Sequence, residues 1–140
     1  MKLSDVMTYG ARTVGAGDTV RHVAEIMAEL DVGSLPVCDD GALVGMITDR
    51  DIVVRVMAKG LGDGALVREA MSDKVDCCFE DEDLRHVAAR MAQAQVRRLP
   101  VVDRDNRLLG VVALGDLARL DKPRQAGATL SEISEPTLKM

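Results

Sequence analysis

The sequence is poor in aromatic residues and carries no excess of positive charge. Among 140 residues there are one Tyr, one Phe and no Trp, so the chain has no series of rings on which bases could stack. A net charge of −5 and a pI near 5.0 also argue against phosphate-backbone binding, which depends on clustered Lys and Arg. We therefore expect no nucleic-acid partner.

Long apolar runs and paired cysteines are also missing. No stretch reaches the roughly 18 apolar residues of a membrane span, and Asp5 precedes any apolar run, unlike the pattern of a secretory signal. We expect a soluble, cytoplasmic protein that does not enter a membrane. Three cysteines without an export signal are expected to be thiols rather than a disulfide framework.

What the sequence does contain is an internal repeat. Residues Thr19–Asp39 recur as Asp83–Asp103, with the motif LPV followed by a residue and Asp in both copies. Downstream, the glycine and final aspartate of GMITDRD return in GVVALGD. Repetition at a fixed spacing indicates two copies of one structural unit. A unit of about 60 residues buries little of its surface alone, which favours two repeats sharing one core.

The local patterns predict an α/β (α+β) fold of two pseudo-symmetric β-α-β-β-α repeats. We assign residues 1–60 to the first repeat, 61–66 to a linker, 67–120 to the second repeat and 121–140 to a C-terminal tail. Thr19 is expected to cap the first helix, and Gly60 to end the next one in a left-handed conformation. The expected strands are Ser34–Cys38, Leu43–Ile47, Val75–Cys78, Arg98–Val102 and Arg107–Val112; the expected helices start near Val20, Thr48, Glu82 and Gly115.

The order, spacing and signature of these elements resemble a tandem pair of CBS domains, the regulatory module named for cystathionine β-synthase. The resemblance is carried by VGSLPVCDDGALVGMITDRDI and VRRLPVVDRDNRLLGVVALGDL and covers roughly residues 3–120. It implies repeats packed through their sheets, with helices that can form a flat homodimer. It also implies a stand-alone regulatory protein that binds AMP, ADP or ATP in clefts between the repeats and signals to an effector protein.

In the first repeat the candidate site is the strand-to-helix junction of GMITDRD. Thr48 begins a helix whose free N–H groups suit phosphate, and Asp51 lies one turn on. In the resembled family this acid binds the ribose hydroxyls. The spacing of Thr48 and Asp51 is also that of a capping box, which needs no ligand. The resemblance implies that the strand near Cys77 and Cys78 completes this site.

The second repeat departs from the pattern, because Ala113 replaces the threonine while Asp116 keeps the carboxylate. Arg97 and Arg98 stand at family positions that approach a ligand's phosphates, and guanidinium groups suit phosphate oxygens. The resemblance implies that the strand near Thr13 and Val14 completes this second site. The alternative for the arginine pair is a solvated corner between helix and strand.

The cysteines and histidines offer a second hypothesis. Cys38, Cys77 and Cys78 are alternative zinc or redox candidates, since thiolates and imidazoles are zinc ligands, but no CxxC or HxxxH spacing supports them. His22 and His86 precede core valines and are expected at the surface. No catalytic set is visible, so we expect no enzyme. The alternatives to a nucleotide sensor are a metal or thiol sensor, and a dimeric interaction protein with vestigial clefts.

Overall fold

The computed structural model describes residues 1–120. Strands and helices are interspersed along the chain, in keeping with the α/β prediction. They run in the order β1 (Thr8–Tyr9), α1 (Val20–Leu30), β2 (Ser34–Asp39), β3 (Ala42–Thr48), α2 (Asp49–Ile52), α3 (Val67–Ala70), β4 (Cys78–Phe79), α4 (Leu84–Ala94), β5 (Arg98–Val102), β6 (Leu108–Ala113) and α5 (Leu114–Leu120). The expected tail, 121–140, lies outside the described residues.

The chain divides into two compact units that cut across the sequence repeats. One unit comprises Arg12–Val75 with Asn106–Leu108; the other comprises Met1–Ala11, Asp76–Asp105 and, among the described residues, 109–120. We call them the Asp51 unit and the Asp116 unit. Residues 1–11, which the sequence analysis grouped with the first repeat, therefore cluster with the second repeat's hairpin, and residues 67–75 cluster with the first.

The segment before each repeat clusters with the hairpin of the other repeat. This clustering explains why both motifs contain a glycine at the same position. In the Asp51 unit, Met46 bridges Ser72, and a Cβ on the adjacent Gly45 would lie 2.7 Å from the carbonyl oxygen of Ser72. In the Asp116 unit, β1 pairs antiparallel with β6, and a Cβ on Gly110 would lie 2.0 Å from the carbonyl oxygen of Thr8. Only glycine permits such a close approach of two backbones.

Each unit has its own hydrophobic core, so the expectation of one core shared by the repeats is wrong, and the repeated positions fill both cores. In the Asp51 unit, β2 and β3 pair antiparallel across the Asp40-Gly41 turn. In the Asp116 unit, the sheet order is β1-β6-β5-β4. Equivalent residues of the repeats are buried in both cores, namely Val23 and Val87, Met27 and Met91, Leu35 and Leu99, and Val37 and Val101. The repeat pattern thus correctly predicts the core positions.

The helix ends agree with the sequence in some places and not in others. The Thr19 side chain accepts a hydrogen bond from the His22 N–H and caps α1 as predicted. Gly60 has a φ of +75°, as expected for a left-handed stop. The predicted continuous helix from Thr48 to Lys59 is wrong in detail, because α2 passes into a π-helical turn over Val53–Met57. Adjacent β-branched residues crowd an α-helix, and only Val56 of the turn is buried.

The strand predicted over Val75–Cys78 is also shorter than expected. Only Cys78 and Phe79 form β4, which pairs in parallel with β5. Arg90 explains the late start, because its guanidinium donates to the carbonyl oxygen of Cys77 and to the carboxylate of Asp76. The backbone oxygen of Cys77 is therefore bonded to an α4 side chain rather than to a neighbouring strand. Arg90 fixes the approach to β4 in this way.

Candidate functional site

The junction of β3 and α2 holds Thr48 and Asp51 in a reciprocal capping box. The Thr48 N–H donates to Asp51 Oδ2 at 2.9 Å, and the Asp51 N–H donates to Thr48 Oγ1 at 3.0 Å. The capping role predicted as the alternative is therefore present. This capping bond leaves the Asp51 carboxylate able to bind other donors, because each carboxylate oxygen can accept more than one hydrogen bond.

The other oxygen of Asp51 faces a cation. Asp51 Oδ1 lies 4.0 Å from Arg55 Nε, and the two side chains are 18% and 46% exposed. That distance is too long for a hydrogen bond, so the interaction is one of charge. Asp51 thus presents a half-buried carboxylate that is anchored at one oxygen and able to accept hydrogen bonds at the other.

The second junction, between β6 and α5, repeats half of this arrangement. The Ala113 N–H donates to Asp116 Oδ2 at 3.0 Å, as the Thr48 N–H does to Asp51. Alanine has no hydroxyl, so the reciprocal bond to the aspartate N–H cannot form. The predicted loss of the hydroxyl therefore leaves a carboxylate that accepts the same backbone bond without its side-chain counterpart.

The arginine corner lies beside the start of α5. The carbonyl oxygen of Arg97 accepts the Leu114 N–H at 2.8 Å, just as that of Gly33 accepts the Asp49 N–H at 2.9 Å in the Asp51 unit. Both Arg97 and Arg98 are exposed. The Asp116 unit therefore has the Arg97 backbone at the start of α5, with Arg98 next along the chain, whereas the Asp51 unit has Gly33 and Ser34 at the equivalent positions.

The strands assigned to complete each site lie in the unit of their own repeat. Val14 bridges Val37 of β2 in parallel, within the Asp51 unit, so Thr13 and Val14 share a unit with Asp51. Cys78 pairs with Val101 of β5, so Cys77 and Cys78 share a unit with Asp116. The pairing of each acid with the other repeat's strand, predicted from the sequence, is not tested by this shared membership and stays a prediction.

The cysteines are poor nucleophiles in this fold. Burial raises the pKa of the Cys78 thiol to about 12, and Cys78 Sγ lies 3.6 Å from the carbonyl oxygen of Pro100. Burial also raises the pKa of Cys38 and that of Cys77, where the charges of Asp76 and Glu82 act in the same direction and Arg90 opposes them. A raised pKa reduces the thiolate fraction that reacts with oxidants and metals.

The cysteines are divided between the two units. Cys38 belongs to the Asp51 unit and the other two to the Asp116 unit, and His22 and His86 are exposed, as expected. Within residues 1–120, no three His, Cys, Asp or Glu side chains form a group that could hold a metal ion. In the same part of the chain, no helix is long and apolar enough to cross a membrane.

Two arginines that contact the candidate site residues were not predicted from the sequence. Arg55 stands four residues after Asp51, a spacing that places two side chains on one helix face, so the pair was detectable from sequence. Arg90 contacts Glu82 at 3.1 Å as well as the Asp76-Cys77 segment. Its partners precede α4 by several residues, and no helical spacing predicts them.

Comparison with known proteins identifies the family. The CBS domain model matches residues 3–58 and 67–122, so the chain belongs to the CBS domain family and carries a tandem pair. The CBS domain-containing protein YhcV of Bacillus subtilis (strain 168) is 39% identical over 137 residues, covering 97% of each chain. The recognition of the family and the α/β fold of two repeats are therefore confirmed.

Solved structures of related CBS pairs contain different ligands. Hypoxic Response Protein I with two coordinated zinc ions has a TM-score of 0.76 and 37% identity, covering 85% of this chain and 98% of that one. CBSX2 in complex with AMP has a TM-score of 0.75 and 28% identity, covering 84% and 93%. The CBS domain pair of MJ0100 in complex with 5-methylthioadenosine and S-adenosyl-L-methionine has a TM-score of 0.75 and 30% identity, covering 86% and 94%.

Proposed function

We propose that this protein is a non-catalytic regulatory module that binds an adenosine-type ligand and passes the change to an effector protein. The observation that carries the proposal is the half-buried Asp51 carboxylate, fixed at one oxygen by the Thr48 N–H. A carboxylate accepts both hydroxyls of a ribose well, because hydrogen bonds to an ionised acceptor are strong. Two of the solved CBS pairs hold adenosine-type molecules.

In the Asp51 unit the ligand would lie along the junction of β2 and β3. Ser34 faces Thr48 in the antiparallel pair, and Val14 stands beside Val37, three positions along β2 from Ser34. Three strand positions span roughly 10 Å, a distance comparable to the length of a nucleoside. Thr13 and Val14 would contact the base while Asp51 holds the ribose. The N–H groups of Asp49, Arg50 and Asp51 are already bonded within the protein, so they are not the free phosphate donors that the sequence predicted at this helix start.

The Asp116 unit would hold a second ligand of more anionic character. Asp116 offers the ribose-type carboxylate, Arg97 and Arg98 offer two exposed guanidinium groups, and the strand with Cys77 and Cys78 would line the base. A guanidinium fork binds phosphate oxygens in pairs. The lost hydroxyl at Ala113 weakens this site for ribose, so we rank it second for AMP and adenosine and expect it to favour ATP.

A zinc sensor is the second candidate, because the related Hypoxic Response Protein I holds two zinc ions. Its donors here would be Cys38, Cys77 and Cys78. The raised pKa values of all three thiols oppose metal binding. Because a related structure holds zinc, we include zinc in the ligand screen as the competing hypothesis.

We also propose that the protein is a homodimer and acts in the cytoplasm. The π-helical turn leaves Val53 58%, Val54 44% and Met57 67% exposed. Three exposed apolar side chains within this one short segment form a surface typical of protein contacts. A second copy of the chain is the partner that the family resemblance favours.

A thermal-shift screen of the metal-free full-length protein tests the function. The ligands are AMP, ADP, ATP, S-adenosylmethionine and zinc. A ligand at about 100 times its dissociation constant stabilises the fold by about 2.7 kcal/mol, which raises the melting temperature by several degrees. Stabilisation by a nucleotide supports the proposal. Stabilisation by zinc alone favours the metal sensor, and no shift with any ligand favours an interaction protein with vestigial clefts.

A further inference from the structure

Arg55 connects the carboxylate of the proposed ribose site to the end of a neighbouring helix. Its Nη1 donates to the carbonyl oxygens of Ala70 and Met71, both at 3.2 Å, and its Nε lies 4.0 Å from Asp51 Oδ1. Because α3 ends at Ala70, these carbonyls are among those that a helix leaves unpaired. The guanidinium thus caps α3 and faces Asp51 at the same time.

The geometry holds Asp51 from two sides without filling its free oxygen. The Thr48 N–H bonds Oδ2 at 2.9 Å, while Arg55 attracts Oδ1 from beyond hydrogen-bond distance. Arg55 cannot drift freely, because two carbonyl oxygens fix its guanidinium. Asp51 Oδ1 therefore has a defined direction and can still accept hydrogen bonds from a ligand, which is what recognition of paired hydroxyls requires.

The second repeat has no arginine at the equivalent sequence position. The residue four positions after Asp116 is Leu120, so the arginine is particular to the Asp51 unit. α2 also supplies a natural control. Arg50 is an exposed arginine on the same helix, and among the contacts described for residues 1–120 its guanidinium has no hydrogen bond or ion pair.

We propose that Arg55 is a positioning residue that makes the Asp51 unit selective for ribose over deoxyribose ligands. It acts through Asp51 and touches no ligand hydroxyl itself. The inference rests on the proposed function and deepens it, because it assigns the discrimination of the ligand's 2′ and 3′ hydroxyls to one pair of side chains. The same arginine links that pair to the C-terminal end of α3.

The test compares AMP with 2′,3′-dideoxy-AMP by isothermal titration calorimetry on the full chain. The readout is the ratio of the two dissociation constants. We expect the parent to prefer AMP at least about tenfold, the lower end of what charge-assisted hydrogen bonds give. In Arg55→Met, which keeps much of the apolar stem, the ratio should fall to about threefold or less. Arg50→Met should keep the parent's ratio, and Arg55→Lys should recover part of it because it restores the positive charge.

A thermodynamic cycle separates positioning from a merely structural role. If Arg55 acts through Asp51, then Asp51→Ala/Arg55→Met should show the same ratio as Asp51→Ala alone. Should Arg55→Met not fold, Arg55→Lys is tested in the same cycle, and it must again change the ratio only when Asp51 is present.

Two outcomes would overturn the inference, and they are distinguishable. A parent that prefers AMP, with variants at Arg55 that keep the parent's ratio, leaves the proposed function standing and removes the role of Arg55. A parent that binds neither nucleotide, or binds both equally well, removes the ribose-binding function of Asp51 and the inference together.

Discussion

Replacing Asp51 separates its part in the capping box of α2 from the ribose binding that we propose for it. In Asp51→Ala the Thr48 N–H loses its acceptor at 2.9 Å, and any ligand loses the carboxylate. In Asp51→Asn a side-chain oxygen remains for the Thr48 N–H, but the charge is gone. The two variants should therefore differ in stability and agree in their loss of ligand affinity.

The magnitudes follow from the contacts. Asp51→Ala keeps the Thr48 cap but loses the bond from the Thr48 N–H, which costs about 0.5–1.5 kcal/mol of stability and lowers the melting temperature of a domain of this size by a few degrees. Loss of hydrogen bonds to a charged group costs about 1.5–3 kcal/mol, so AMP should bind either variant about 10- to 150-fold more weakly. Asp51→Asn should melt closer to the parent than Asp51→Ala does.

Asp116→Ala is the matched control, since Asp116 accepts the equivalent backbone bond from Ala113 at 3.0 Å. Calorimetry with AMP gives the affinities, and thermal unfolding gives the stabilities. We expect a smaller loss of AMP affinity for Asp116→Ala, because Ala113 lacks the hydroxyl of Thr48. An equal or larger loss at Asp116 would refute the ranking of the two sites. Unchanged affinity in all three variants would refute the ribose role of both acids.

Three further predictions concern the rest of the molecule. Replacing both Arg97 and Arg98 by Ala should weaken binding of ATP several-fold more than that of adenosine, and added salt should shrink the difference; calorimetry that finds both ligands unaffected makes the pair a solvated corner. Light scattering should give about twice the 15.1 kDa chain mass, and Met57→Asp, which charges a side chain that is 67% exposed, should give monomer; a parent that is monomeric at micromolar concentration contradicts the dimer. Because burial raises the pKa of Cys78 from 9.0 to about 12, its neutral thiol contributes stability below pH 9 that is lost as the pH rises toward 12. Melting temperatures measured from pH 8 to 11 should therefore fall more steeply in the parent than in Cys78→Ala, and equal slopes would contradict the burial effect.

The core and the junctions could be predicted because they depend on local pattern. Val23 and Val87, or Leu35 and Leu99, recur at the same register and are buried in each unit. The cap at Thr19 and the box at Thr48 and Asp51 are spacings of three residues that short-range geometry determines. A repeat makes such predictions stronger, since each copy serves as a control for the other.

Features that depend on distant backbone could not be predicted in this way. The local pattern does not predict that residues 1–11 cluster with the second repeat's hairpin. Gly45 and Gly110 mark the two close backbone approaches, but neither glycine identifies the segment that approaches it. The late start of β4 depends on Arg90, which lies 13 residues after Cys77. Contacts of that kind arise from tertiary packing, which overrides local propensity.

The differences between the two repeats carry more functional information than their similarities. Both junctions keep a carboxylate that accepts a backbone N–H, so the duplicated skeleton supplies two equivalent starting points. One copy adds the hydroxyl of Thr48 and the guanidinium of Arg55, which favour a fixed carboxylate and hence a ribose. The other lacks both and instead has Arg97, whose carbonyl oxygen accepts the Leu114 N–H at the junction, followed by Arg98; guanidinium groups suit anionic oxygens. We expect two sites that differ in this way to respond to different ligands, or to different parts of one ligand, and such asymmetry would let the pair distinguish a nucleoside from its phosphorylated forms.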